Sequence, residues 1–328
     1  MAFNSTPQAV HVDEYLTNFA INYATEQNYL ADKVFPVVNV EKQSDKYYVF
    51  DAENENREFS NLVTKAAPRS LPNMFEVTQS NDSYFAEHYW AGFDIDTFTA
   101  ANEDMALRTR ERKAKLVMDN MLKFRDRAFI STFMTTGVWG SDLVGTTDFT
   151  KWSDGASTPL DDVQAWKEAF EIRNYGEKVN TVVITKDIKR HLLQNAQILG
   201  RINGGATIAS PAMVNDSIIA SLFEVDNLIW ADAVSNKAEY GETENAARMV
   251  SNQILMCYTA PDAGMDTKTA GQIFAYNAVP GFTWGITMES FDTDEQRKRN
   301  IAEEVQAKIA YDMKVTGASL GTYISSVV

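Results

Sequence analysis

The chain has 328 residues, 45% of them hydrophobic and 23% charged, which is enough to bury a large core and to divide into two or more lobes. With 30 basic against 45 acidic side chains the net charge is -15, which argues against a general binder of nucleic acid or anionic membrane. The single Cys257 rules out an internal disulfide and points to assembly in a reducing compartment.

No apolar run reaches transmembrane length, and the start, MAFNSTPQAVHVDEY, lacks the regions of a signal peptide. The sequons at Asn4, Asn81 and Asn215 therefore carry no weight, and the composition reads as a soluble, cytosolic chain.

In chain order, residues 1–12 are polar and weakly patterned, as in an arm that orders only against something else. Between residues 13 and 33, Tyr15, Leu16, Phe19, Tyr23 and Leu30 predict a short helix, after which Pro36 forces an extended exit. KYYVF (46–50) reads as a strand, DAENENRE (51–58) as a solvated acidic tip, and PRSLPNMFEV (68–77) as the return leg into a second strand. Such a long hairpin has little core of its own and is stable only when it lies across a neighbour.

Residues 102–135 contain no Gly or Pro and are rich in strong helix formers. Leu107, Ala114, Val117, Met118, Met121, Leu122, Phe129 and Phe133 make one apolar stripe at helical spacing. Thr99 or Asn102 can cap the start and Gly137 lies just past the end, so a spine helix of about 50 Å is predicted.

Residues 137–159 form a Gly-, Ser- and Asp-rich connector carrying Trp139 and Trp152, and Thr158 and Pro159 open an amphipathic helix that stops before Gly176. Strands at 179–184, 227–234, 252–260 and 271–276 and helices at 185–195 and 213–223 predict an α/β lobe, with a loop at 203–211. From Val305 to Val315 the odd residues are all apolar, which favours a long half-buried strand over a helix; SLGTYISSVV is expected to return beside it. The spine helix is the expected partner of that strand.

The sequence offers little chemistry. Walker A, Rossmann glycine, HExxH and paired CxxC patterns are all missing. His11, His88 and His191 are far apart, and His191 on its helix reads as structural. No nucleophile elbow supports a Ser–His–Asp triad, and Cys257 inside an apolar strand reads as a small core residue. Asp292, Asp294 and Glu295 read as a solvated turn rather than a cation loop, and Gly204–Gly205 as a flexible loop rather than a phosphate cradle. No catalytic, cofactor-binding or metal residue is assigned. One local inversion stands out: Arg108, Arg110, Arg112, Lys113, Lys115, Lys123, Arg125 and Arg127 share the spine with only Glu111, Asp119 and Asp126. The favoured reading is a solvated face paired with neighbouring carboxylates; the other is a face toward a polyanion or an acidic arm of the next subunit.

The order of arm, polar-tipped hairpin, spine helix, α/β lobe and terminal strand resembles the major capsid proteins of tailed phages, in the lambda-type branch of the fold shared with encapsulins and the herpesvirus capsid floor. The stretches that carry the resemblance are YLADKVFPVVNVEKQSDKYYVF (29–50), WSDGASTPLDDVQAWKEAF (152–170), NTVVITKDIKRHLLQNAQILGRI (180–202), NLIWADAVSNKAEYG (227–241), TAPDAGMDTKTAG (259–271) and DMKVTGASLGTYISSVV (312–328). The resemblance implies an α+β capsid fold: an N-terminal arm at 1–44, an extended loop at 45–92, a peripheral domain at 93–177 with 286–328, and an axial domain at 178–285.

It further implies a non-enzymatic structural protein that closes head-to-tail pentamers and hexamers into an icosahedral head shell. The expected partners are other copies of the chain, a scaffolding protein, a portal and a decoration protein. Double-stranded DNA is enclosed without sequence-specific binding, no membrane is involved, and the subunit ends in the virion after assembly in the bacterial cytoplasm. An encapsulin-like shell around protein cargo is the alternative, and a soluble α/β enzyme a weaker one. Because the arm begins within a few residues of Met1, a separate scaffolding protein and no proteolytic maturation are expected. Lys42, Lys46 and Lys65 are available for the lysine–asparagine cross-link some relatives form, but availability is no evidence for it.

Overall fold

The computed structural model describes residues 11–12, 15–18, 29–50, 65, 68, 71, 80–102, 106–203, 215–236, 238, 241–262, 264–279, 282, 284–291 and 299–328. The expected hairpin tip at 51–58, most of its return leg, Gly204–Gly205, Asp292, Asp294, Glu295 and the first ten residues lie outside them.

In chain order, β1 (His11–Val12) and β2 (Val37–Val40) precede a hairpin stem of β3 (Ser44–Val49) and β4 (Ser80–Phe85). Then come β5 (Glu87–Asp96), α1 (Thr97–Asn102), the spine α2 (Ala106–Phe133), β6 (Asp142–Val144) and α3 (Pro159–Arg173). The lobe follows as β7 (Thr181–Thr185), α4 (Lys186–Gln194), α5 (Ala196–Asn203), α6 (Asp216–Phe223) and β8 (Asn227–Ala231). Next are β9 (Val234–Asn236), β10 (Ala246–Arg248), β11 (Gln253–Cys257), β12 (Gly271–Tyr276), β13 (Thr287–Phe291), β14 (Ile301–Val315) and β15 (Gly321–Ser325).

The larger sheet is built on β14. β5 pairs along one side of it, while β13 and β12 share the other; β1 joins β13, and β2 runs parallel to β12. The register sets Phe93 opposite Val305, Ala91 opposite Ala307 and Tyr89 opposite Ile309. The apolar rows of both strands therefore face the same way. The spine packs on β14 and β5, as the one-faced pattern of each predicts.

Along the spine Ala114, Met118, Met121, Leu122, Phe129 and Phe133 of the predicted stripe are buried and Val117 is half-buried, while the side chain of Leu107 lies outside the described ones. At 28 residues the spine measures about 42 Å rather than 50. A separate helix, α1, contains Thr99 and ends at Asn102, and residues 103–105, between it and the spine, lie outside the described residues. Thr158 does sit at the N-cap of α3, but its side chain makes no capping hydrogen bond.

The smaller sheet runs β6-β15-β11-β7-β8, with β7 fully buried. Three expectations change here. The C-terminal strand β15 does not return beside β14; it inserts between β11 and β6 of the smaller sheet. β12, expected within the lobe, instead pairs with β14 and β2. The predicted helix between 13 and 33 does not run to its expected end: residues 15–18 are helical, residues 13–14 and 19–28 lie outside the described residues, and residues 30–35 form a tight turn whose Leu30 and Ala31 N–H groups bond to Asp126 instead of to a helix ladder. Elements β5, β6, β13 and α5 were not predicted. For β5 the alternation of Tyr89, Ala91, Phe93 and Ile95 was a sufficient signal.

Candidate assembly surfaces

Candidate chemistry is dispersed. Cys257 is fully buried in β11, where desolvation pushes its thiol pKa up, so it serves as core. His88 is exposed on β5 and stacks against Tyr276 and Phe282, with centroids at 6.0 and 5.0 Å; His191 is half-buried beside Arg190. Lys42, Lys46 and Lys65 are exposed, and Lys42 is paired with Asp45 at 2.8 Å. Among the described residues no group of His, Cys, Asp or Glu is arranged to hold a metal ion, and no helix is long and apolar enough to cross a membrane.

A hollow of about 720 Å³ beside α3 is lined by Asp161, Gln164, Lys167, Glu168, Glu171, Lys178 and Glu224. One of its two lysines is spent on structure: Lys167 Nζ donates to the carbonyls of Phe223 at 2.9 Å and Glu224 at 3.0 Å, closing the end of α6. Acidic groups without a nucleophile or an imidazole among them make no catalytic set.

The basic stretch of the spine is largely neutralised from within. Arg110 pairs with Glu303 of β14, Lys113 donates to the Asp94 carbonyl of β5 at 2.7 Å, and Lys123 pairs with Asp119 at 2.5 Å. Arg125, 3% exposed, pairs with Asp32, donates to the Trp284 carbonyl at 2.9 Å and lies 4.1 Å over the Trp284 ring. Burial lowers its pKa against the pull of Asp32 and Asp126. Neighbouring carboxylates account for Arg110, Lys123 and Arg125, as the favoured reading expects, and a backbone carbonyl for Lys113.

Beside the exposed Arg112, Lys115 and Arg127, the spine also leaves an apolar flank open. A groove of about 370 Å³ runs between His88–Ala91 of β5 and Asn120, Met121 and Phe124 of the spine. Trp90 at its rim is 70% exposed, Leu116 61% and Phe124 44%; Phe98 on α1 is 68% exposed. An aromatic concentration of this kind on one flank costs solvation in an isolated subunit and suits a surface that neighbours cover. Sequence reasoning found the spine but not this flank, because β5 was not predicted.

No family model matches the chain. It is 22% identical over 322 residues to the major capsid protein of Pseudomonas phage JBD67, covering 97% of both chains. It is 26% identical over 231 residues to that of Burkholderia phage BcepMu, covering 68% of this chain and 69% of the other. A phage-related protein from Bordetella bronchiseptica RB50 superposes with a TM-score of 0.69 at 16% identity, over 98% of this chain and 99% of that one. The mature capsid of bacteriophage PhiM1 gives a TM-score of 0.54 at 11% identity, over 91% and 87% of the two chains. The chain has the tailed-phage capsid fold. The SrpI encapsulin of Synechococcus elongatus PCC 7942 shares the fold, with a TM-score of 0.54 at 12% identity over 90% and 86%. These relatives by sequence are structural proteins, which fits the dispersed chemistry.

Proposed function

We propose that the chain is the subunit of a phage head shell, assembling head to tail into pentamers and hexamers that close around double-stranded DNA. The observation that carries this reading is sequence similarity to a phage major capsid protein along 97% of both chains. The exposed flank of Trp90, Leu116 and Phe124 supports it, because head-to-tail contacts need surfaces that a monomer leaves open. The net charge of -15 suits a wall that encloses DNA without gripping its sequence. Scaffolding protein and portal are its proposed partners, with a decoration protein as an optional addition to the outer surface, and the virion is its proposed destination after assembly in the host cytoplasm. The domain assignment is 1–44 arm, 45–92 extended loop, 93–177 with 286–328 peripheral and 178–285 axial, with β12 and β15 crossing between the two bodies.

Electron microscopy of the protein, alone and co-expressed with its genomic neighbours, tests the reading. Closed shells or five- and six-fold rings support it; a monodisperse monomer or dimer in both preparations overturns it. Shared fold with an encapsulin favours a second reading, a shell around protein cargo, and purified particles that contain protein rather than DNA would establish it.

Trp90→Glu is expected to leave the thermal midpoint within about 1 °C, because Trp90 is 70% exposed in the subunit, while sharply reducing the yield of closed shells. An undiminished shell yield, counted by microscopy, would remove this flank from the subunit interface.

A further inference from the structure

Along its length β5 pairs with β14 on one side, and among the described residues no strand lies on the other. Two hydrogen bonds fix which groups face that open side. The Thr97 N–H, just past the strand, donates to the Asn300 carbonyl at 2.9 Å, so the odd residues of β5 turn their backbone groups toward β14. The Asp94 carbonyl instead accepts from Lys113 Nζ of the spine, at 2.7 Å. By the two-residue period His88, Trp90, Gly92 and Asp94 turn N–H and C=O outward, and all four residues are exposed. Ladder groups without a ladder partner are a template for another strand. The groove beside Asn120 and Phe124 leaves room along this edge.

Charge and size along the strand select what can pair there. A second β5, laid antiparallel about a two-fold axis at Ala91, sets His88 opposite the partner's Asp94 and Trp90 opposite the partner's Gly92. The imidazole meets a carboxylate, and the large indole meets the one residue of the strand without a side chain. Symmetry repeats each pair. On the spine side Tyr89, which packs against Phe124 with centroids 4.9 Å apart, comes opposite the partner's Phe93. Glu87 meets the partner's Ile95, so no acid faces an acid. Other alignments are poorer: centring on Trp90 leaves His88 opposite glycine, and centring on Gly92 sets the indole against the Asp94 carboxylate. Lys113 yields the Asp94 carbonyl to the N–H of the partner's His88.

We propose that β5 pairs with β5 of a second copy about a two-fold axis at Ala91, making one continuous sheet across two subunits. The pairing is a contact between two copies whatever they build; that it joins one ring of subunits to the next rests on the shell-subunit reading.

Cysteine trapping on the full chain tests it. Cys257 is fully buried, so an introduced thiol reports alone. Two Ala91 Cα atoms facing each other in such a pair lie about 4.5 Å apart, within disulfide reach. Ala91→Cys, oxidised with glutathione disulfide in the assembled protein, is expected to run mainly as a disulfide-linked dimer on non-reducing electrophoresis. Glu87→Cys, whose two copies lie at opposite ends of the paired strands, should give about tenfold less. Ala91 is half-buried, so the exposed positions repeat the test outside the core: His88→Cys mixed with Asp94→Cys should link, and neither variant alone. No dimer from either Ala91→Cys or the mixture, or as much dimer from Glu87→Cys, overturns the proposal. Microscopy reads the shell separately: shells without the dimer sink the pairing alone, and a dimer without shells sinks the shell reading alone.

Discussion

Gly321→Ala is expected to destabilise the subunit by about 3 kcal/mol or more, lowering the thermal midpoint by about 5–10 °C. The cause is space and not backbone conformation. Gly321 has φ -131° and ψ 151°, ordinary extended values that alanine adopts freely. A Cβ there would lie 2.0 Å from a ring carbon of Trp139. That indole cannot retreat: it is 6% exposed, its Nε1–H donates to the Phe133 carbonyl at 2.6 Å, and it sits against the rings of Phe35 and Phe133. The strand cannot retreat either, because Arg173 donates to the Gly321 carbonyl at 2.8 Å and β15 is paired on both sides. The contrast is Gly200→Ala inside α5, where a Cβ meets nothing within 4 Å. That change is expected to add about 0.5–1 kcal/mol. Calorimetry on both variants checks the pair, and a Gly321→Ala protein as stable as the parent would show that the β15–Trp139 contact is not tight.

The second large effect centres on Asp126. Its carboxylate is fully buried, and desolvation outweighs the two backbone N–H donors and Arg125, raising its pKa from 3.8 to about 6. The charged groups that face it are Arg125 on the spine and Asp32 on the packed turn. A folded-state pKa above the unfolded value means that the folded subunit binds this proton more tightly. The resulting stabilisation is complete below about pH 4 and is lost as the pH rises through about 6. Between pH 7.5 and pH 5 this group alone should add about 1.4 kcal/mol of stability, by the factor of about 1.4 kcal/mol per unit. Asp126→Ala at neutral pH leaves the Leu30 and Ala31 N–H groups buried without an acceptor, at a cost of about 2–4 kcal/mol. Urea midpoints measured from pH 5 to 7.5 check both statements. Asp126→Asn should flatten this part of the profile, and a profile as steep as the parent's would assign the pH dependence to other groups.

Local patterning by itself determined a good deal of this protein. A 28-residue helix without Gly or Pro, a strand with strict alternation at 305–315, and β7 as an apolar run between turn residues all form where their periodicity places them, because each signal lies within one element. The order of these elements was also enough to mark the resemblance to phage capsid proteins, which the sequence relatives and the fold then met. No constellation of catalytic residues was legible in the sequence.

Only the tertiary structure decided which strands share a sheet. β15 follows β14 after a short turn and would be the natural antiparallel neighbour, yet both sides of β14 are already taken by β5, β12 and β13. β15 therefore crosses to the smaller sheet, a competition between distant segments that no local window contains. The same holds for the spine's charges. Eight basic residues against three acidic ones looked like a face for a partner, but Arg110, Lys113 and Arg125 meet Glu303, the Asp94 carbonyl and Asp32, whose positions are set by β14, β5 and the turn before β2. The three acids looked incidental in sequence; that Glu111, Asp119 and Asp126 accept hydrogen bonds from Tyr15, Tyr29, Leu30 and Ala31 appears only in the folded chain, because hydrogen bonds across about 90 residues of chain depend on the fold that closes that distance.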